Sequence, residues 1–313
     1  MTPNQLRTLL AVVETGSVRQ AAERLVVSQP AVSSVLGGLR QELGVELFQR
    51  QGRGLRITPA GEVLAGYGRQ VLGLLEEATV ATVARADPER GRLRIAAVTT
   101  AGERVVPGCL TRFLTAHPGA EVVLEVGNRN RVWELLHSRE ADVAVGGRPP
   151  TNGGLRTLAT RDHELVVVAP PDGSLLRGRP RSVELSDLAE RTWLFREAGS
   201  GTRATAEEVL AELGITPSTL TLGSNGAICE SVKAGLGVAL VSRDAVVAEL
   251  AAGEVEEWRV GPLPLQRQWH LVVRDDGELP ATAALFVALV TKRSRATATS
   301  GFVSVGAGHA GNS

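Results

Sequence analysis

Residues 17–48, SVRQAAERLVVSQPAVSSVLGGLRQELGVELF, decide the fold of the amino-terminal part of the chain. They read as two short helices joined by a tight connection, with a polar surface opening the second. A helix-turn-helix presents its recognition helix to the DNA major groove in this way. Ser17 and Gln20 form a capping pair for the first helix, whose apolar face is Val18, Ala21, Ala22 and Leu25. Ser28 is the N-cap of the second, and Pro30 is tolerated because first-turn amides need no intrahelical acceptor. Val32, Val35, Leu36, Leu39 and Leu43 form its buried stripe, leaving Gln29, Ser33, Gly37 and Arg40 on the other side with Ser34 beside them. Gln bonds both edge atoms of adenine and Ser donates or accepts at any base, so this face suits base readout. Upstream, Thr2-Pro3-Asn4-Gln5 has the form of a capping box, and Leu6, Leu9, Leu10 and Val13 follow at helical spacing to a stop at Gly16.

Downstream, Leu47–Arg50 and Leu55–Thr58 read as two short strands around a Gly52-Arg53-Gly54 tip. Arg50, Arg53 and Arg56 on this hairpin form a wing suited to phosphates or a narrow minor groove. From Thr58 the pattern becomes one helix of roughly 40 Å, ended by Asp87-Pro88. Leu64, Tyr67, Val71 and Leu75, with Leu72 and Ala78, stripe it. A long helix projecting between two units cannot bury such a stripe alone, so pairing with the same helix of a second chain is expected.

Residues Thr2 to about Ala65 resemble the winged helix-turn-helix of LysR-type transcriptional regulators. The matching motifs are A-A-x-x-L, S-Q-P-A-V-S, L-G-V-x-L-F-x-R and the T-P-A-G ending, in the family's order and spacing. The resemblance extends to about Arg293. It implies that Gln29, Pro30 and Ser33 contact bases or adjacent backbone, with Ser28 and Ser34 beside them, and that Arg53 enters the minor groove. Gly37-Gly38 departs from the family's bulkier helix formers, and Ser34 stands where a longer polar or basic side chain is common. Each Gly costs about 1 kcal/mol of helix preference relative to Ala.

From Arg90-Gly91-Arg92 strand and helix patterns alternate, which points to a parallel-rich α/β sheet. Strands are expected at Leu93–Val98, Ala120–Val126 and Asp142–Val145, with helices at Glu103–Ala116 and Arg129–Ser138. A second set runs from Leu165–Ala169 through Trp193–Phe195 to Val238–Ser242. Trp269–Val273 and Ala281–Val290 return to the first unit. The expected fold is therefore an N-terminal winged helix-turn-helix, all-α with a β wing, followed by a two-lobed α/β domain like a periplasmic binding protein. The divisions are 1–58 for the DNA-binding domain, 59–88 for the dimerisation helix and 91–293 for the effector domain. Lobe I covers about 91–161 and 267–293, and lobe II about 162–266. The tail, 294–313, is small and polar without periodicity and is expected to be disordered.

Strand ends that run into helices would line a cleft between the lobes. Thr99-Thr100, Ser200 and Thr202 in Gly199–Arg203, Asn225 in Gly223–Gly226, and Arg148 in GGRPP are the candidate anion-binding residues. In the family these positions surround an effector, typically a carboxylate or phosphate. GNRNRVWELL, GGRPP and FREAGSGTR also resemble regulators of carbon-fixation genes, whose effectors are phosphorylated or organic-acid metabolites.

The 34 basic and 34 acidic residues leave a formal net charge of zero, so any DNA affinity must come from a local basic face. No apolar run of transmembrane length and no leader pattern occurs, which gives the expectation of a cytoplasmic protein without membrane contact. Cys109 and Cys229 lie far apart in apolar contexts and read as buried free thiols. No Cys/His ligand spacing marks a metal site, and no cofactor is expected. His117 and His163 fall in apparent loops, His137 ends a helix, His309 is in the tail and His270 sits in a strand. No G-x-S-x-G, G-K-[ST] or dinucleotide fingerprint occurs, so an enzyme is disfavoured. A solute-binding protein would need export and would not carry the N-terminal unit. The closest rival is a redox-responsive member of the same family using Cys229 or Cys109, although such members use a cysteine pair close in sequence. The expected partners are double-stranded DNA, a small anionic metabolite and further copies of the chain as a dimer or tetramer, with RNA polymerase as a further candidate.

Overall fold

The computed structural model describes residues 1–51, 54–86, 91–151, 153–171, 180–292 and 301–305. The chain divides into two compact units, Met1–Asp87 together with the short segment His137–Glu140, and the remainder from Pro88.

The first unit opens with α1 (Pro3–Thr15), α2 (Val18–Leu25) and α3 (Gln29–Leu43), then the ribbon β1 (Phe48–Gln51) and β2 (Gly54–Ile57), and α4 (Pro59–Ala86). The caps form where the sequence places them. Thr2 and Gln5 make a reciprocal capping box on α1, and Gly16 closes it in the left-handed region at φ 64°. Ser17 accepts from the Gln20 amide and Ser28 from the Ala31 amide. Two small cores hold these elements: Ala11, Val12, Ala21, Ala22 and Val32 in one, and Leu9, Leu39 and Leu47 in the other. The alanines of α2 allow the close approach that a three-helix cluster requires. Leu43, expected in the α3 stripe, is 41% exposed at the last position of α3.

Thr58 donates its hydroxyl to the Glu46 carbonyl and accepts from the Gly61 amide, fixing where α4 begins. A Cβ on Gly61 would lie 2.3 Å from the Leu47 carbonyl oxygen, so the close packing of α4 on this unit requires glycine there. The expected dimerisation stripe divides. Leu64 is partly buried against the Leu9–Leu39–Leu47 core, whereas Tyr67, Val71 and Leu75 are exposed together with Val63 and Leu74.

The second unit begins with β3 (Arg92–Val98), α5 (Thr99–Arg104), α6 (Val106–Ala116), β4 (Glu121–Gly127), α7 (Arg129–His137) and β5 (Val143–Gly146). The single helix expected over Glu103–Ala116 is two helices; Pro107 opens α6, as proline must at a first turn. There follow β6 (Leu155–Ala169), β7 (Arg181–Ser182), α8 (Leu185–Ala189), β8 (Trp193–Phe195), α9 (Gly201–Leu213), β9 (Thr219–Thr221), α10 (Asn225–Lys233) and β10 (Ala239–Ser242). A 3₁₀ turn at Arg243–Ala245 leads to α11 (Val247–Ala252), β11 (Glu256–Arg259), β12 (Leu265–Arg274), α12 (Ala281–Thr291) and β13 (Val303–Ser304).

The main sheet runs in the order β4-β3-β5-β12-β6-β11-β7, with β10 and β13 also paired to β6. Among the described residues the named strands pair parallel at β3–β4, β3–β5, β8–β9 and β7–β11, with one further parallel bridge between Trp193 and Val238. The expectation of a parallel-rich sheet is corrected at its centre, where β6 and β12 pair antiparallel over their length. The chain leaves lobe I along β6 and returns along β12, so the two crossing strands must run in opposite directions. Each lobe has its own core. In lobe I, Leu93, Ile95, Val143, Val145 and Leu271 pack with Phe113 and Phe286, whose rings meet edge to face at 5.5 Å. In lobe II, Trp193 is fully buried among Val167, Leu188 and Leu240, and its indole donates to the Leu188 carbonyl at 3.1 Å. Asp142 and Arg94 form a buried pair in lobe I, with the guanidinium 2.6 Å from one carboxylate oxygen and the Arg94 amide 2.9 Å from the other.

The expectation of a disordered tail is corrected for residues 301–305. Phe302 is buried in the lobe I core, Val303 and Ser304 pair with Thr160 and Ala159, and the Val305 amide donates to Leu158. One buried phenylalanine and the backbone pairing to β6 dock a segment whose average composition is small and polar, while Val303 and Val305 stay exposed.

Candidate functional site

The structure places two separate candidate surfaces, one in each unit. On the first, Ser28, Gln29, Pro30, Ser33 and Ser34 are all exposed at the start of α3. The Ser28 hydroxyl is engaged at 3.4 Å by the Ala31 amide, so it caps the helix. Gln29 and Ser33 lie one turn apart and project together. Arg40, further along, is paired with Glu46 at 3.1 Å. Arg50 and Arg56 are exposed on the ribbon, but the register sets Arg50 opposite Leu55 and Arg56 opposite Gln49. Cross-strand partners share a face, so these two arginines leave from opposite faces and do not form one cluster. Arg53 lies outside the described residues.

The second surface is a cleft of about 700 Å³ between the two lobes of the second unit. Thr99, Thr100, Arg148, Ser200 and Thr202 line it, five of the six residues proposed from sequence. Asn225 is not among the lining residues; it stands behind the wall, where its Nδ2 donates to Thr100 Oγ1 at 2.9 Å. Ser200 is the N-cap of α9, accepting from the Arg203 amide, and Thr202 follows in the first turn. The dipole and free amides of that 13-residue helix face the cleft at this end.

Arg196, at the end of β8, was not singled out in the sequence and connects the two walls. Its guanidinium donates to Asn225 Oδ1 at 2.5 Å, to Thr99 Oγ1 at 3.2 Å and to the Glu197 carboxylate at 2.8 and 3.0 Å. Burial disfavours ionisation of Glu197, but Arg196 more than offsets this and holds its carboxyl below the ordinary value. With Arg129, Arg148 and Arg267, Arg196 gives the lining four guanidinium groups against one carboxylate, Asp162. That local excess of positive charge sits in a chain whose formal net charge is zero.

The crossing strands form the rest of the lining. His163, expected in a loop, lies in β6 and stacks on Trp269 of β12 with ring centroids 3.8 Å apart and planes 5° apart. Burial pushes His163 down to about 4 despite the pull of Asp244, so the ring is neutral at pH 7. Burial likewise lowers His270, whose Nδ1 is 3.3 Å from Thr157 Oγ1. Gln266, Arg267 and Gln268 complete this side. The signal in the sequence was a pair of polar runs, RDHE and QRQWH, each flanked by strongly apolar residues: strands whose middles face an open site.

Cys109 and Cys229 are both buried and free, in the cores of different lobes. Burial and the nearby Glu249 push Cys229 up to about 11, and burial also raises Cys109, so neither is a thiolate at neutral pH. Among the described residues no group of side chains has the makings of a metal site, and no helix is long and apolar enough to cross a membrane.

A winged helix-turn-helix joined to a two-lobed, arginine-lined cleft defines a ligand-responsive DNA-binding regulator. The chain belongs to the LysR family of transcriptional regulators: residues 3–62 match the bacterial regulatory helix-turn-helix of the LysR family and residues 86–295 the LysR substrate binding domain. It is 38% identical to the HTH-type transcriptional regulator CbbR of Xanthobacter flavus over 91% of this chain and 86% of the relative. It is 35% identical to the RuBisCO operon transcriptional regulator of Allochromatium vinosum over 90% of this chain and 93% of the relative. The regulatory domain of CcmR from Synechocystis PCC6803 in complex with 2-PG superimposes with a TM-score of 0.57 at 28% identity, over 63% of this chain and 93% of that one.

Proposed function

We propose that this regulator works in the cytoplasm and senses a small phosphorylated or carboxylated metabolite in its inter-lobe cleft. The observation that carries this is the lining itself: Arg129, Arg148, Arg196 and Arg267 converge on a space otherwise edged by hydroxyls and the first turn of α9. Thr100, Ser200 and Thr202 fix the anion, Arg148 and Arg267 balance its charge, Arg196 with Glu197 braces the wall behind them, and the His163–Trp269 stack forms the floor under its carbon skeleton. Support for this ligand class comes from the 2-PG bound by the Synechocystis relative. The relatives' names support carbon-fixation genes as targets. Ligand contacts on both lobes favour one inter-lobe angle over another, and differential affinity for the two states is what lets an effector act on DNA binding.

On the DNA, Gln29 and Ser33 read base edges, Ser28, Pro30 and Ser34 flank them, and Arg50, Arg53 and Arg56 bind phosphates or the minor groove. Tyr67, Val71 and Leu75 of α4 pair two copies, setting two recognition helices on two half-sites. Titration of 2-PG into the full chain tests the cleft. Thr202→Ala should weaken binding by about 1–3 kcal/mol, the range for a hydrogen bond to a charged group. Unchanged affinity for 2-PG and for a panel of other small anions would remove Thr202 from the site.

A further inference from the structure

We propose that Val26, in the turn before the recognition helix, reads a thymine methyl group in the operator. Val26 ends α2 with φ 56° and ψ 45°, in the left-handed region. Among the described residues, Val26 and Arg139 are the residues other than glycine with positive φ, and of these Val26 alone is β-branched. The backbone geometry is accounted for: it caps α2, with the Val26 amide donating to Glu23 and the Val27 amide to Ala22. The choice of valine is not. Where α1, α3, α9 and α11 need the same left-handed cap, the chain uses Gly16, Gly44, Gly214 and Gly253. A β-branched side chain in this region is strained, and strain persists where something else depends on the residue.

Packing does not retain Val26, because it is 90% exposed, the most exposed large apolar residue in the described chain. Val27 beside it is 48% exposed, and the pair runs directly into exposed Gln29, Pro30 and Ser33. An apolar patch continuous with a base-reading face has one apolar counterpart on the edges of base pairs, the C5-methyl of thymine in the major groove. Val26 thus adds a hydrophobic contact beside Gln29, whose side chain matches adenine, and together they select an A·T-containing step. The proposal rests on α3 lying in the major groove.

The test uses the full chain and duplexes that it selects from a random-sequence library. Each thymine of the selected duplex is replaced singly by uracil, which removes only the methyl. The wild type should lose about fourfold in affinity at one thymine, the equivalent of about 0.8 kcal/mol for one buried methyl-sized group. Val26→Asn and Val26→Gly, both at ease in the left-handed region, should bind that thymine and uracil pair equally and bind the selected duplex less well. Both variants should nonetheless unfold at a higher temperature, by roughly 2 °C or more. A purely structural residue would not move stability up and affinity down together. Variants that keep the wild-type thymine preference at every position overturn the proposal, including variants that bind DNA normally but fail in transcription, which would assign the patch to a protein partner. Gln29→Ala, run in parallel, separates the two levels: if it too leaves selection unchanged, the major-groove placement of α3 is what fails.

Discussion

Replacing His163 by Gln should flatten the acid side of the stability profile of the effector unit. In the folded chain the ring is stacked on Trp269, its Nδ1 faces the Ser242 hydroxyl at 3.3 Å, and burial lowers it from 6.5 to about 4. Asp244 and a backbone hydrogen bond at Glu164 oppose the lowering, while Arg161 and Arg267 add to it. Between pH 6.5 and about 4 the unfolded chain takes up a proton at this position and the folded chain does not. The folded state is therefore at full stability above pH 6.5 and loses it as the pH falls, by about 1.4 kcal/mol for each unit crossed. At pH 4.5 the accumulated loss is on the order of 2–3 kcal/mol. Burial raises the Asp244 carboxyl, but hydrogen bonds from Arg161 and Trp269 outweigh this and hold it below its ordinary value, so it stays ionised in that window. All four tryptophans, Trp133, Trp193, Trp258 and Trp269, lie in the second unit, so their fluorescence follows its unfolding alone. Urea titrations at pH 7.5 and 4.5 should show a fall in wild-type stability that His163→Gln lacks. Parallel losses in the two proteins would refute the assignment of a buried neutral imidazole.

Asp142→Ala should cost about 3–5 kcal/mol, because it strands the buried Arg94 guanidinium; chemical denaturation of the second unit would show it. Gly37→Ala should raise the thermal stability of the first unit by up to about 1 kcal/mol, since a Cβ there meets nothing within 4 Å, and thermal melts of the full chain check it. Asp at both Val71 and Leu75 should give monomers in light scattering, because these side chains are 44% and 45% exposed on the face of α4 available to a second copy; persistent dimers would place the interface elsewhere.

Much of the first unit was legible because its signals are local. Thr2–Gln5, Ser17, Ser28 and Gly16 each fix a helix end within a few residues of sequence, and the apolar spacing between them gives the helices. What the sequence hid depends on long-range neighbours. Leu64 and Tyr67 are equivalent as a stripe, and only the placement of Leu9, Leu39 and Leu47 decides that one is partly covered and the other exposed. Arg50 and Arg56 look like a cluster until the pairing register sends them to opposite faces. In the cleft, Thr99, Thr100, Ser200 and Thr202 were legible because small hydroxyl residues at the start of a helix are a local pattern, although only Ser200 acts as a cap. Arg196, His163 and Trp269 were not, since each lies inside or at the end of a strand and its role comes from residues far away in sequence, including Asn225 and Asp244. Phe302 shows the same limit at the other end of the chain.

The most direct test of an anion-responsive regulator is footprinting on the DNA upstream of this gene, with and without 2-PG and a panel of small phosphorylated and carboxylated metabolites. At least one anion should change the length of the protected region for the wild type, and Thr202→Ala should need a higher concentration of the same compound while protecting DNA normally without it. A footprint that no anion alters, but that changes on treatment with peroxide and is restored by Cys229→Ser, would contradict the account and make the chain a redox sensor.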